Sequence, residues 1–469
     1  MDFPLFYLDF IGNRLLMAAV AITHVMINHP MAVGAWPLVA LLEWWGRRRG
    51  DLDLDALAYK ITFVLFIITT TFGALTGVGI WLTAALIAPF GIGSLIRVFF
   101  WAWFIEWLVF ISEVGLVIVY FLMWQRWREG RWKALHNAVG AVLAVGSWLT
   151  MAIIVAILGF MMGTGSWAAD RSFFSAVFNP LYLPQLVFRT GLAMVTAGFT
   201  VWFLTFFFTR TRPELRRRVV RIVSGWVLAW TPVVLIGAVW YWRRVPAPMA
   251  ANLDVAFLTQ RLTQWYDTFL YVVAAVLALT VLIALAGLAR PALIPRAVLV
   301  IPFLLGLYTL GHFERVREFI RKPHVVADYM YSNGVTMSEL PIFQRDGILT
   351  YSAYSTVRQV TSANKVDAGR DVYMLACSRC HTVSGVNSVL TRFRNLYGDT
   401  PWDPAVLSSF IAVMHNTRTF MPPFPGAPAE ADALAAYLRD LQERPRGLPG
   451  AQAVGYSPRA AAAAAGPGQ

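Results

Sequence analysis

The chain has 469 residues, 58% hydrophobic and 14% charged, with a formal net charge of +13. That balance excludes an ordinary soluble domain and implies an integral membrane protein. The charge does not describe a nucleic-acid surface, because the arginines sit in short patches such as "RRRG" (47–50) and "RTRPELRRRVVR" (210–221) that border apolar runs, where they act as topology signals.

Apolar runs long enough to cross a bilayer predict eight spans, at 10–45, 57–88, 94–125, 134–162, 182–209, 218–242, 264–289 and 292–312. The first lacks a basic leader and a cleavage site, so it is expected to stay as a membrane helix. Several runs exceed the bilayer thickness, which implies tilt or protrusion. With the N-terminus outside, the inner loops 46–56, 126–133, 210–217 and 290–291 hold three, four, four and one Lys or Arg. The outer loops 89–93 and 163–181 hold only Arg171, although Arg243, Arg244 and Arg261 lie in the outer loop 243–263. This asymmetry favours both termini on the outer, periplasmic side of a bacterial inner membrane, with lipid as the surrounding partner.

Ionisable residues inside spans are costly and point to function or pairing. In the first span, "AITHVMINHPMAVG" carries His24 and His29, about 140° apart around a helix, so one site cannot use both from the same face. Pro30 is expected to kink the helix there. In the third span, "FFWAWFIEWLVFISEVGLVIVYF" carries Glu106 and Glu113, seven apart and on one face. They are candidate catalytic carboxylates for proton handling or haem ligation; the alternative is hydrogen bonding of one Glu to a buried Ser or Arg.

Near the end, "YMLACSRCHTVSG" (373–385) holds the chain's only two cysteines in a C-x-x-C-H pattern. That pattern attaches a c-type haem, with thioethers from Cys377 and Cys380 and His381 as an axial iron ligand. "TFMPPFPG" (419–426) supplies Met421 as the second axial ligand from a Pro-rich turn; Met414 and His415 are the alternatives. "AEADALAAYLRDL" (429–441) reads as an amphipathic helix closing the haem crevice against the helix of "AGRDVYMLACSRCH". These features resemble a class I cytochrome c. The expected organisation is all-α: a membrane bundle at 1–312, an outer-side segment and linker at 313–365, a small helical cytochrome c domain on the outer side at 366–443, and a disordered Gly, Pro and Ala tail at 444–469.

The motifs of the membrane part, in their order across residues 5–340, resemble subunit I of the cytochrome bd-type quinol oxidases. They are "NRLLMAAVAITHVMINHPMAVG", "FIEWLVFISE", "HNAVGAVLAVGSWLTMAIIVAILGFMM", "NPLYLPQLVFRTGLAMVTAGF" and "EFIRKPHVVADYMYSNGVTMSEL". The resemblance implies His24 as ligand of an active-site haem, with His29 the second candidate because Pro30 lies one residue further from His24 than in the family. It implies Glu106 beside the oxygen-reducing haem, Glu113 as the second glutamate within one residue, and Glu318 as the glutamate of the high-spin b haem. Arg321 and Pro323 match the family's segment, with His324 where a tryptophan is expected, and His136 takes a structural, interfacial role at the inner end of the fourth helix.

Three departures shape the functional expectation. Arg189 stands where the family has the histidine ligand of its low-spin b haem, and a protonated arginine cannot ligate iron. Spans six to eight carry no Met for the opposite ligand, and the quinol loop is shortened to 243–263. The expected protein therefore receives electrons through its haem c and passes them to one or two b-type haems, haem d being an alternative, for reduction of oxygen or a similar small acceptor. The implied partners are a periplasmic electron donor or acceptor and a second membrane subunit, with no nucleic acid. Two other readings stay open: a non-catalytic quinol or cytochrome c electron-transfer module, and a cytochrome c on a haem-free membrane anchor.

Overall fold

The computed structural model describes residues 6–258, 266–353 and 355–444; the expected tail beyond residue 444 and Arg261 lie outside the described residues. Helix α1 (Asn13–Asn28) passes through a π turn, His29–Val33, into α2 (Ala35–Arg49), and α3 (Leu52–Ile68) passes through a second, Thr69–Gly73, into α4 (Ala74–Ile87). Then come α5 (Pro89–Val98), α6 (Phe100–Met123), α7 (Gly130–Met162), the short α8 (Trp167–Asp170) and α9 (Phe173–Val177), α10 (Tyr182–Phe208) and α11 (Pro213–Arg244). After α12 (Ala247–Ala250), α13 (Leu253–Leu258), α14 (Tyr266–Ala289) and α15 (Ile301–Ile320), β1 (His324–Val326) pairs antiparallel with β2 (Met330–Tyr331). The chain continues with α16 (Leu340–Asp346), α17 (Ile348–Tyr351), α18 (Lys365–Ala376), α19 (Val389–Tyr397), α20 (Pro404–Thr417) and α21 (Pro428–Glu443).

Among the described residues, eight helices are long and apolar enough to cross a membrane. The last runs as Arg296–Ile320 rather than ending at 312. Its polar stretch "FERVREF" reads like an exit from the bilayer, but Glu314 is buried and paired, so the helix has no reason to stop there. Pro30 does not simply kink α1. It sits in the π turn, where the Gly34 N–H reaches back five residues to the His29 carbonyl at 3.1 Å.

The chain divides into two compact units: one of Met1–Val20, Gly79–Arg97 and Arg321–Gln469, the other of Ala21–Val78 and Val98–Ile320. An even number of spans returns a chain to its starting side. The segments before α1, around α5 and after α15 do gather in one unit, as that parity requires. In the second unit the core centres on α10, whose Val201 and Trp202 are fully buried together with Trp36, Leu42 and Val223 of its neighbours. Large apolar side chains such as Phe72, Trp101, Trp107 and Ile236 point outward, as lipid-facing residues do. In the first unit a separate core forms around Tyr373, Trp402, Leu434, Tyr437 and Leu438.

Candidate functional site

In the first unit, α18 buries Ala368, Val372, Tyr373 and Met374 and ends in the turn that carries the cysteine motif. The Cys380 and His381 amides donate to the Cys377 carbonyl at 3.0 and 2.9 Å, which gathers Cys377, Cys380 and His381 on one tight turn. Cys377 and Cys380 form no disulfide. Nδ1 of His381 lies 3.1 Å from the Asn387 carbonyl, an arrangement that protonates Nδ1 and leaves Nε2 for a metal. Burial pushes the Cys377 thiol up to about 12 and holds His381 down at about 4, so the imidazole is neutral at pH 7, the form that binds iron.

Met421 sits in the Pro-rich loop, its amide donating to the Arg418 carbonyl at 2.7 Å. Nδ1 of His415 donates to the Met421 carbonyl at 2.5 Å, so this histidine braces the Met421 loop, while Met414 packs against the apolar core. Gln344 Nε2 holds the Phe424 carbonyl at 3.0 Å, and the Glu430 carboxylate accepts from the Ala427, Ile348 and Leu349 amides, each at 2.9 Å. The crevice helices α18 and α21 cross in contact, because a Cβ on Gly369 would lie 2.0 Å from the Ala433 carbonyl. Paired thiols on one turn, a neutral histidine with a free Nε2 and a braced methionine loop fit a covalently bound haem c.

In the second unit, His24 is half-buried beside both π turns. Asn28 Nδ2 lies 2.9 and 2.7 Å from its two ring nitrogens, and Thr76 Oγ1 lies 3.1 Å from Nδ1. π turns concentrate at functional sites, and here polar side chains of Asn28 and Thr76 surround the His24 ring. His29 faces elsewhere: its Nε2 is 3.0 Å from Arg189 Nη1. Arg189, fully buried, also pairs with Glu314 at 2.7 Å, and Glu314 accepts from Arg317 at 2.9 Å. Arg189 thus has the carboxylate of Glu314 as its partner. His29 is committed to this cluster.

Glu113 accepts from Thr150 on α7 at 3.2 Å, with Ser147 beside it. Glu106, Glu113 and Tyr120 recur every seven residues on one face of α6. Tyr120 donates to Glu43 at 2.6 Å in a buried network that sequence reasoning missed. There Glu43 meets Lys133 at 2.7 Å and His136 at 2.6 Å, and Lys133 meets Asp55 at 2.6 Å. His136 is fully buried, not interfacial, because Glu43 and the Tyr120 carbonyl satisfy both ring nitrogens. Ionisable residues of adjacent runs were the only available signal, since Glu43, Asp55 and Lys133 lie beside arginine-rich loops that read as surface. Glu318 and Arg321 sit at the end of α15 and just beyond it. Among the described residues no three His, Cys, Asp or Glu side chains converge as a metal-ion cluster, so His24, Glu106 and Glu318 are not brought into one.

The comparisons with known proteins divide along the same line as the two chemistries. Residues 364–438 match the family model described as cytochrome C oxidase, cbb3-type, subunit III. No curated protein matches the chain in sequence. Among solved structures, the bd oxidase from Geobacillus thermodenitrificans is similar in fold, with a TM-score of 0.57 at 15% identity, covering 67% of this chain and 89% of that chain. The class is thus a membrane haem electron-transfer protein. Within it, this chain joins a bd-oxidase-like helical membrane fold to a C-terminal cytochrome c domain that carries haem c and implies a redox partner.

Proposed function

We propose that this protein is an oxidase-like electron-transfer protein of a bacterial inner membrane, in which the cytochrome c domain lies on the periplasmic side and exchanges electrons with a periplasmic partner. The membrane fold would hold one or two b-type haems, or a haem d, for reduction of oxygen or a similar small acceptor, and a second membrane subunit would be its partner in the bilayer. The observation that carries this reading is the C-x-x-C-H turn with its braced Met421 loop, joined in one chain to a bd-oxidase-like bundle. Cys377 and Cys380 bind the haem covalently, and His381 and Met421 ligate its iron. His24 and Glu318 would be the membrane iron ligands, and Arg321 would help to hold a membrane haem. Bound haem supplies one-electron transfer and, where one coordination position is open, a place for the acceptor.

The chain's own residues supply proton handling and exclusion. Glu106 and Glu113 are the catalytic carboxylates, and the buried Glu43, His136 and Tyr120 network lies along the same helix face toward the arginine-rich loops. The Arg189–Glu314 pair fills the position expected for a low-spin b haem and supports electron entry through haem c in place of quinol. The test is a reduced-minus-oxidised spectrum with pyridine haemochrome quantification of b against c and a carbon monoxide difference spectrum. Haem b or d beside haem c, part of it binding carbon monoxide, is the expected result; haem c alone with no carbon monoxide response reduces the bundle to an anchor.

A further inference from the structure

Residues 6–12 precede the first membrane helix by sequence, yet they are built into the cytochrome site. The Tyr7 side chain is fully buried; its hydroxyl accepts from the Val383 amide at 2.8 Å and donates to Asp9 Oδ1 at 2.6 Å. Asp9 Oδ1 also accepts from the Val383 amide at 2.7 Å and the Ser384 amide at 3.3 Å, and Oδ2 accepts from the Ser384 hydroxyl at 2.6 Å. The Val386 amide reaches the Phe10 carbonyl at 3.4 Å. Backbone meets backbone at Gly385, where a Cβ would come 1.9 Å from the Asp9 carbonyl. The segment is itself pinned at the start of α1, since Asn13 Nδ2 donates to the Phe6 carbonyl at 2.7 Å and Asn13 Oδ1 accepts from the Leu8 amide at 3.3 Å.

The gripped residues, Val383 to Val386, lie between His381 and Asn387, and the Asn387 carbonyl is what holds His381 Nδ1. We infer that residues 7–13 form a strap that fixes this loop and thereby positions His381, tuning the iron it ligates. Tyr7 and Asp9 act as positioning residues through the Asn387 contact and touch no ligand themselves. A firm hydrogen bond on Nδ1 raises the basicity of a ligating imidazole, which favours oxidised iron. Loosening the strap should therefore raise the midpoint potential of haem c. The inference rests on the proposed attachment of haem to Cys377, Cys380 and His381.

The test uses the full-length protein in detergent, with Asp9→Ala, Asp9→Asn and Gly385→Val. Hydrogen exchange of the 382–388 region, the midpoint potential of haem c and its covalent content by pyridine haemochrome are read together. Asp9→Ala is expected to exchange at Val383 and Ser384 at least about tenfold faster and to titrate at a higher midpoint, with haem content unchanged. Asp9→Asn, which keeps an acceptor oxygen, should fall between it and wild type, and Gly385→Val should follow Asp9→Ala. Wild-type exchange and midpoint in Asp9→Ala overturn the inference, as does faster exchange with no change in midpoint. Absence of covalent haem from the wild-type protein is failure of the proposed attachment instead, and exchange alone then decides whether the strap grips the loop.

Discussion

The two units place their candidate site residues in different ways. In the cytochrome unit the chemistry is local: the thiols and His381 share one turn, and the His381 ring is oriented by a carbonyl only six residues away. In the membrane unit the polar groups are paired across great sequence distance, Arg189 with His29 160 residues apart and His136 with Glu43 93 apart. A covalent attachment motif demands fixed spacing, whereas a buried charge demands only that some partner arrive in space. Function in the first unit is therefore written in a short pattern, and in the second it is distributed over helices.

That contrast can be broken or sharpened by experiment. The largest effect is expected for Cys377→Ala with Cys380→Ala, which should abolish covalent haem in a denaturing gel stained for haem while the membrane helices still insert. Met421→Ala should keep the haem attached but open one side of its iron, turning carbon monoxide binding by haem c from absent to present in a difference spectrum. In the membrane unit, Glu314→Ala leaves Arg189 buried without its carboxylate and should destabilise by about 3–5 kcal/mol in thermal unfolding. Changing Arg189 and Glu314 both to Met should recover only part of that loss, since Arg317 still loses the carboxylate it meets at 2.9 Å. Tyr120→Phe removes one hydrogen bond to a buried carboxylate and should cost about 1.5–3 kcal/mol.

The smallest effect concerns pH. Burial is the main reason His324 is held below the ordinary histidine value, His415 opposing its charge and Asp328 favouring it. On acidification the unfolded chain takes up the proton first, so stability is full above about pH 6.5 and falls as pH drops below it. His324→Gln should flatten that slope by a fraction of a kcal/mol, read from unfolding midpoints across pH 5 to 7.5. An unchanged slope would show that His324 titrates alike in both states.

The spans, the cysteine motif and the Pro-rich loop at Met421 were legible, because hydropathy over about twenty residues and the C-x-x-C-H spacing are properties of contiguous sequence. The end of the eighth helix was not. Glu314 and Arg317 look like an exit from the bilayer until Arg189 is seen to supply the counter-charge from another helix. Likewise Glu43, Asp55 and Lys133 look like surface residues until they are found around His136, and Pro30 looks like a simple kink until it is found inside a π turn.

By itself the amino-acid sequence determined a helical membrane protein that carries a haem c, since apolar length and C-x-x-C-H spacing act locally and need no knowledge of what packs against them. Only the tertiary structure decided which buried charges satisfy one another, that Arg189 holds a carboxylate, and that residues near the start of the chain grip the loop beside His381, across 376 positions from Tyr7 to Val383. The physical reason is that burial makes an unpaired polar group costly wherever it lies, while the partner that removes the cost can come from anywhere in the chain.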